Sequence, residues 1–136
     1  MAKVPHPSQG LIDTSVLIDL DQIDAEQLPN ELAISALTMA ELAAGPHATG
    51  DAGERARRQD RLQRAEATFD PLPFDGDSAR AYGRIYAAIV ATGKARGPRA
   101  VDLLIAATSL AANLPLYTRN VDDFRGIEHL LTIVGV

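Results

Sequence analysis

Four carboxylates stand where an α/β protein can use them: Asp13, Glu41, Asp102 and Asp123. Asp13 closes the apolar run Gly10-Leu11-Ile12 and is followed by Thr14-Ser15, which reads as a buried strand handing an acid to its carboxyl tip and passing into a helix. Glu41 lies in Thr38-Met39-Ala40-Glu41-Leu42, and Asp102 opens the apolar stretch Leu103-Leu104-Ile105-Ala106-Ala107. Asp122 and Asp123 follow Thr118-Arg119-Asn120 past another strand candidate. Ligands of an open parallel sheet bind beyond the carboxyl ends of its strands, so these places converge if the sheet is parallel.

Each acid also has a local explanation. Asp13 can cap the helix that follows it, and an acid in the first turn, as at Asp102, complements the helix dipole. Thr38-x-x-Glu41 has the form of a capping box. The joint pattern says more than any one residue. Carboxylates gathered in one place raise each other's pKa unless a cation compensates them. Hard oxygen donors suit Mg²⁺ or Mn²⁺, as one ion or as two about 3.5–4 Å apart, which can activate water and stabilise the leaving oxygen of a phosphodiester.

The elements that position these acids alternate between strand and helix. The first strand leads into a helix from Ser15 to about Ile23, and a second strand candidate spans Leu32 to Leu37. Thr38 to Pro46 reads as a brief helix with Glu41 in its first turn, stopped by Gly45-Pro46. A charged helix from Ala52 to Phe69 has few apolar positions and belongs outside or against a partner. Phe69 to Phe74 is extended, and Asp77-Ser78 caps a helix to about Thr92 with Ala81, Ile85, Ala88 and Ile89 on one face. A basic loop, Gly93 to Arg99, precedes the most apolar helix, Val101 to Asn113, and strands follow at Leu114–Thr118 and Leu131–Val134. Such alternation indicates an α/β fold with a parallel sheet.

At 136 residues, 46% of them apolar, the chain fits one domain, 1–136, with an adequate core. It has no cysteine, so a metal would be held by oxygen or imidazole; His6, His47 and His129 share no ligand spacing. No apolar signal core or membrane-length run is present, which makes a cytoplasmic protein the expectation. The net charge of −5 argues against a nucleic-acid surface until the four acids are assigned to a metal site. Setting them aside leaves −1 and all 13 basic residues for a phosphate backbone.

Leu11-Ile12-Asp13-Thr14-Ser15, Ala40-Glu41-Leu42, Asp102 to Ala107 and Thr118-Arg119-Asn120-x-x-Asp123-Phe124 resemble, in order, the four signatures of PIN-domain ribonucleases. The size and the last two blocks are similar to VapC-type toxins of toxin–antitoxin pairs. The resemblance implies an α/β/α sandwich with a parallel sheet of about five strands. It also implies a Mg²⁺- or Mn²⁺-dependent endoribonuclease, a cognate antitoxin and a homodimer. By the same resemblance Asp13 and Asp102 are the principal metal ligands, and Glu41 is a third acid that binds metal or orients water. Many PIN domains carry aspartate where Asn120 stands here; Asp123 is the substitute, with Asp122 as second choice.

Thr14, Ser15 and Thr118 can hydrogen-bond the carboxylates or a scissile phosphate, or serve only as cap and turn residues. Lys94, Arg96 and Arg99 are candidate RNA phosphate contacts. Among the alternatives, a receiver-like signalling module needs paired acids at the first strand tip and a lysine after the last strand, and no lysine follows Lys94. A magnesium phosphatase needs an Asp-x-Asp pair, absent at Asp13. A PIN fold that binds RNA without cleaving it is the remaining rival.

Overall fold

The computed structural model describes residues 8–93 and 99–136. Four short parallel strands, β1 (Gln9–Ile12), β2 (Glu31–Ala33), β3 (Leu116–Thr118) and β4 (Ile133–Gly135), form a sheet in the order β2-β1-β3-β4. The chain runs outward from β1 to β2, then crosses back to β3 on the other side. The carboxyl ends of β1 and β3 therefore flank the point where strand order reverses, the crevice such sheets use for binding.

Among the described residues, five α-helices cover the sheet: α1 (Thr14–Ile18), α2 (Ala36–Ala44), α3 (Ala52–Thr68), α4 (Gly76–Ala91) and α5 (Ala100–Ala111). Successive strand residues point to opposite faces, and the core divides accordingly. Leu11 and Leu116 join Ala81 and Ile85 of α4, Ile105 and Ala106 of α5, and Phe124 and Ile127. Ile12 and Tyr117 join Val16 and Leu17 of α1, Leu42 of α2, and Leu62 and Ala65 of α3. The result is the three-layer sandwich expected. Gly10 is required at its place in β1, because a Cβ there would run into the Tyr117 ring and lie 2.9 Å from Pro29 Cγ.

The sheet has four strands among the described residues, against about five expected. The extended piece near Leu72 supplies only an isolated parallel bridge to Ser35 beyond β2, with Leu72 N–H donating to Ile34 O (2.9 Å) and Ala36 N–H to Leu72 O (2.8 Å). The first helix ends at Ile18, and a 3₁₀ turn at Leu20–Gln22 replaces its expected second half.

The second strand is also shorter than its apolar run suggests. Ser35 leaves it and accepts from Thr38 N–H at 3.1 Å, so Ser35 caps α2. The capping box assigned to Thr38 and Glu41 is thus displaced: Thr38 lies inside the helix, and Glu41 falls in the second turn rather than the first. Asp75, not Asp77-Ser78, caps α4, accepting from Ser78 N–H at 2.9 Å. The apolar helix α5 begins on Arg99 without a side-chain cap, and Asn113 just beyond it takes the left-handed φ of 56° that helix ends favour.

Candidate active site

Asp13 is 5% exposed and follows β1 directly. Its N–H donates to Tyr117 O (3.0 Å), tying the acid to the adjacent strand β3. Oδ1 accepts from Val16 N–H at 3.0 Å and from the Ser15 hydroxyl at 2.6 Å. Ser15 Oγ in turn accepts from Arg119 N–H (3.1 Å), so the backbone just past β3 steadies the carboxylate at the tip of β1. Asp13 does cap α1, but its Oδ2 has no partner among the described residues. Since no buried side-chain oxygen among the described residues is left unpartnered, Oδ2 faces solvent. The local capping role and an available ligand oxygen coexist on one carboxylate.

Glu41 is held from across the site. Thr14 Oγ1 lies 2.6 Å from Glu41 Oε1 and 3.0 Å from Thr38 Oγ1. The hydroxyl has one proton, and the carboxylate is the stronger acceptor, so Thr14 donates to Glu41 while the Thr38 hydroxyl proton spans the other distance. Thr38 is fully buried, and Ser35 Oγ stands 3.5 Å from its hydroxyl. This Thr14–Thr38–Ser35 chain was not anticipated for Thr38; Thr14 and Thr38 are 24 residues apart, and no local spacing announces the contact.

Asp102 is 7% exposed in the first turn of α5. Arg99 grips it with two parallel bonds, Nε to Oδ2 at 3.2 Å and Nη2 to Oδ1 at 3.1 Å. Hydrogen bonding to Asp102 and that residue's charge raise the Arg99 pKa above its ordinary value, against the effect of burial, and the charges of Glu41 and Asp123 raise it further. Arg99 therefore lies in the field of three of the four acids. The Arg-x-x-Asp spacing at a helix start is the sequence signal for this pair, and Arg99, a candidate RNA contact by its place in the basic loop, here holds a site acid.

Asp123 is exposed in the 3₁₀ turn Val121–Phe124 that follows β3, its N–H donating to Asn120 O at 3.0 Å. Its neighbour Asp122 is bound by Arg125 at 2.8 Å. Thr118 is fully buried and accepts from Asn120 N–H at 3.0 Å, so its hydroxyl shapes the turn rather than facing a ligand. Lys94 and Arg96 lie outside the described residues. His47 and His129 are exposed and join none of these bonds.

The donors are all oxygen, suited to Mg²⁺ or Mn²⁺. Among the described residues, no three acidic or imidazole groups stand close enough to enclose one ion. Mg²⁺ commonly takes one or two carboxylates with waters and substrate phosphate, so the open set fits that mode of binding.

Residues 10–130 match the PIN domain family. The chain belongs to the PIN-domain family. Among its similar proteins, Ribonuclease VapC5 of Mycobacterium tuberculosis (strain ATCC 25618 / H37Rv) is 34% identical over 125 residues, covering 90% of each chain. Ribonuclease VapC8 of the same strain is 38% identical over 101 residues, 74% of this chain and 89% of VapC8. The crystal structure of VapBC-5 from Mycobacterium tuberculosis, a member of the VapBC family of toxin-antitoxin systems, aligns with a TM-score of 0.85 at 34% identity, covering 96% of this chain and all of that one. Membership in the PIN family sets aside the receiver-like and phosphatase alternatives.

This PIN domain carries a second concavity, a cavity of about 510 Å³ lined by Leu17, Ile18 and Leu20 near α1 and by Arg61, Ala65 and Phe69 along and after α3. Ile18 is 46% exposed there. The charged helix α3 thus contributes Leu62 and Ala65 to the core and leaves a trough of mixed character, lined also by Asp21, Arg61, Arg64 and Thr68. No helix among the described residues is long and apolar enough to cross a membrane.

Proposed function

We propose that this PIN domain is the endoribonuclease toxin of a toxin–antitoxin pair, cleaving RNA with Mg²⁺ or Mn²⁺ bound among Asp13, Glu41, Asp102 and Asp123. The observation that carries the reading is the arrangement of acids around the β1–β3 crevice: Asp13 tied to β3, and Asp102 gripped by an arginine that also feels Glu41 and Asp123. The ribonuclease relatives give that arrangement its substrate.

Asp13 and Asp102 are the principal ligands, each buried with an otherwise fixed side chain. A bound divalent cation would lower the pKa of water and neutralise charge on the phosphate oxygens. Glu41, fixed through Oε1 by Thr14, orients the attacking water and takes up its proton. Water adds to phosphorus in line as one ester P–O bond breaks, and the leaving ribose oxygen takes a proton from solvent, giving a phosphate monoester and a ribose hydroxyl. Asp123 is the fourth acid in place of Asn120, because its charge acts on Arg99, the arginine that holds Asp102, while Asp122 faces Arg125.

The antitoxin is a protein segment that covers the trough between α1 and α3, its apolar side chains meeting Leu17, Ile18 and Leu20 and its acids Arg61 and Arg64. The toxin acts in the cytoplasm as a homodimer built from the single domain 1–136. RNA cleavage by the purified chain tests the reading: cleavage with Mg²⁺ or Mn²⁺ that stops with chelator is expected. RNA binding without cleavage under every metal condition would instead favour the non-catalytic PIN fold.

A further inference from the structure

We infer that Arg99 is the protein's own counterion for the metal site: its guanidinium holds the Asp102 carboxylate that a divalent cation needs, and the cation binds only as Arg99 leaves. The inference rests on the metal-dependent reading above and adds to it a competition between two cations for one carboxylate.

Asp102 is nearly buried, and a buried carboxylate without a positive partner is strongly disfavoured. In this structure that partner is Arg99, with one nitrogen on each carboxylate oxygen. The two groups differ in freedom: the Asp102 side chain is 10% exposed and the Arg99 side chain 70%. Asp102 is held in place by its helix, while the guanidinium can swing into solvent and regain hydration. A doubly charged ion seated on Asp102 would stand within a few ångströms of the guanidinium and repel it.

The neighbouring arginine cannot take the same part. Arg119 faces Asp19 at 3.5 Å. Arg99 instead lies in the field of Glu41 and Asp123 as well, so one guanidinium offsets part of the repulsion among three acids. Once displaced, it remains on the residue that precedes α5, at the rim of the crevice, where it can meet a phosphate of the RNA. Arg99 thus has opposite effects on two steps. It weakens binding of the metal and strengthens binding of the RNA.

Calorimetric titration of Mn²⁺ into the full chain at low ionic strength, without RNA, tests this, using wild type, Arg99→Gln, Arg99→Lys and Asp102→Asn. Arg99→Gln should bind Mn²⁺ roughly fivefold more tightly than wild type, the scale of a partly exposed ion pair. Arg99→Lys keeps the charge but loses the two-pronged geometry, and should fall between them. The same Arg99→Gln protein should show a raised KM for RNA, a split that a merely structural role would not produce. Mn²⁺ binding that disappears in Asp102→Asn but is equal or weaker in Arg99→Gln overturns the inference while leaving the metal site standing. If Arg99→Gln does not fold, equal affinity of Arg99→Lys and wild type overturns it. Absence of Mn²⁺ binding by wild type defeats the functional reading and this inference together.

Discussion

Thr14 Oγ1 donates to Glu41 Oε1 across 2.6 Å, joining the first residue of α1 to the second turn of α2. The bond fixes one oxygen of Glu41 and leaves the other for water or metal. Thr14→Val keeps the shape of the side chain and removes the donor. It should cost about 1.5 to 3 kcal/mol of stability, the scale of a hydrogen bond to a charged group, and slow RNA cleavage, while Thr14→Ser retains most of both. Denaturant unfolding alongside cleavage rates checks this. Equal rates in Thr14→Val and wild type would remove Thr14 from the site.

Ser15 stands between Arg119 N–H and Asp13 Oδ1. Ser15→Ala leaves the Asp13 carboxylate with Val16 N–H as its donor among the described residues and removes the acceptor of Arg119 N–H. Residues that orient a ligating carboxylate typically affect activity by roughly 10- to 100-fold, and a loss in that range is expected here. Single-turnover cleavage measured at saturating Mn²⁺ would detect it, and a change under twofold would mean that Asp13 is positioned without Ser15.

The fourth acid is decided by comparing neighbours. Asp123→Asn should slow turnover by about tenfold or more. Asp122→Asn removes an ion pair whose side chains are 81% and 66% exposed, worth under about 1 kcal/mol, and should leave turnover near wild type. The reverse order in parallel rate measurements would move the role to Asp122.

Acid should act on α4, which packs against the helix that carries Asp102. Hydrogen bonds from the Ser78 backbone and hydroxyl hold the Asp75 carboxyl below its ordinary value of 3.8. A depressed folded-state pKa gives stability that is present above 3.8 and lost as pH falls through the lower folded value. Asp75→Ala should therefore melt below wild type at neutral pH, with the gap closing as the solution is acidified below 3.8. Melting curves across that range would show either this convergence or a constant gap, which would contradict the capping account.

Much of this arrangement was legible in the sequence because strand tips and helix starts carry strong local signals. Gly10-Leu11-Ile12-Asp13 and the apolar α5 with Asp102 in its first turn were both visible as such. The spacing puts Glu41 on the right helix but a turn too early. Ser35 sits inside an apolar run that reads as strand, and only its bond to Thr38 N–H shows that the helix begins there. The fifth strand was lost for a related reason: an extended segment with prolines at 71 and 73 can donate few ladder bonds, and it contributes a single bridge at Leu72. Contacts between distant residues, such as Thr14 with Thr38 and Ser15 with Arg119, leave no mark in local spacing. They exist because the sheet brings β1 and β3 side by side.

The central claim is that the acids at the β1–β3 crevice carry out metal-dependent RNA cleavage. Its most direct test is single-turnover cleavage of one RNA by wild type, Asp13→Asn and Asp102→Asn, each purified identically and assayed with Mn²⁺. Both variants should fold and lose more than about a hundredfold in rate, beyond what supporting residues lose. Equal cleavage by all three proteins would contradict the account.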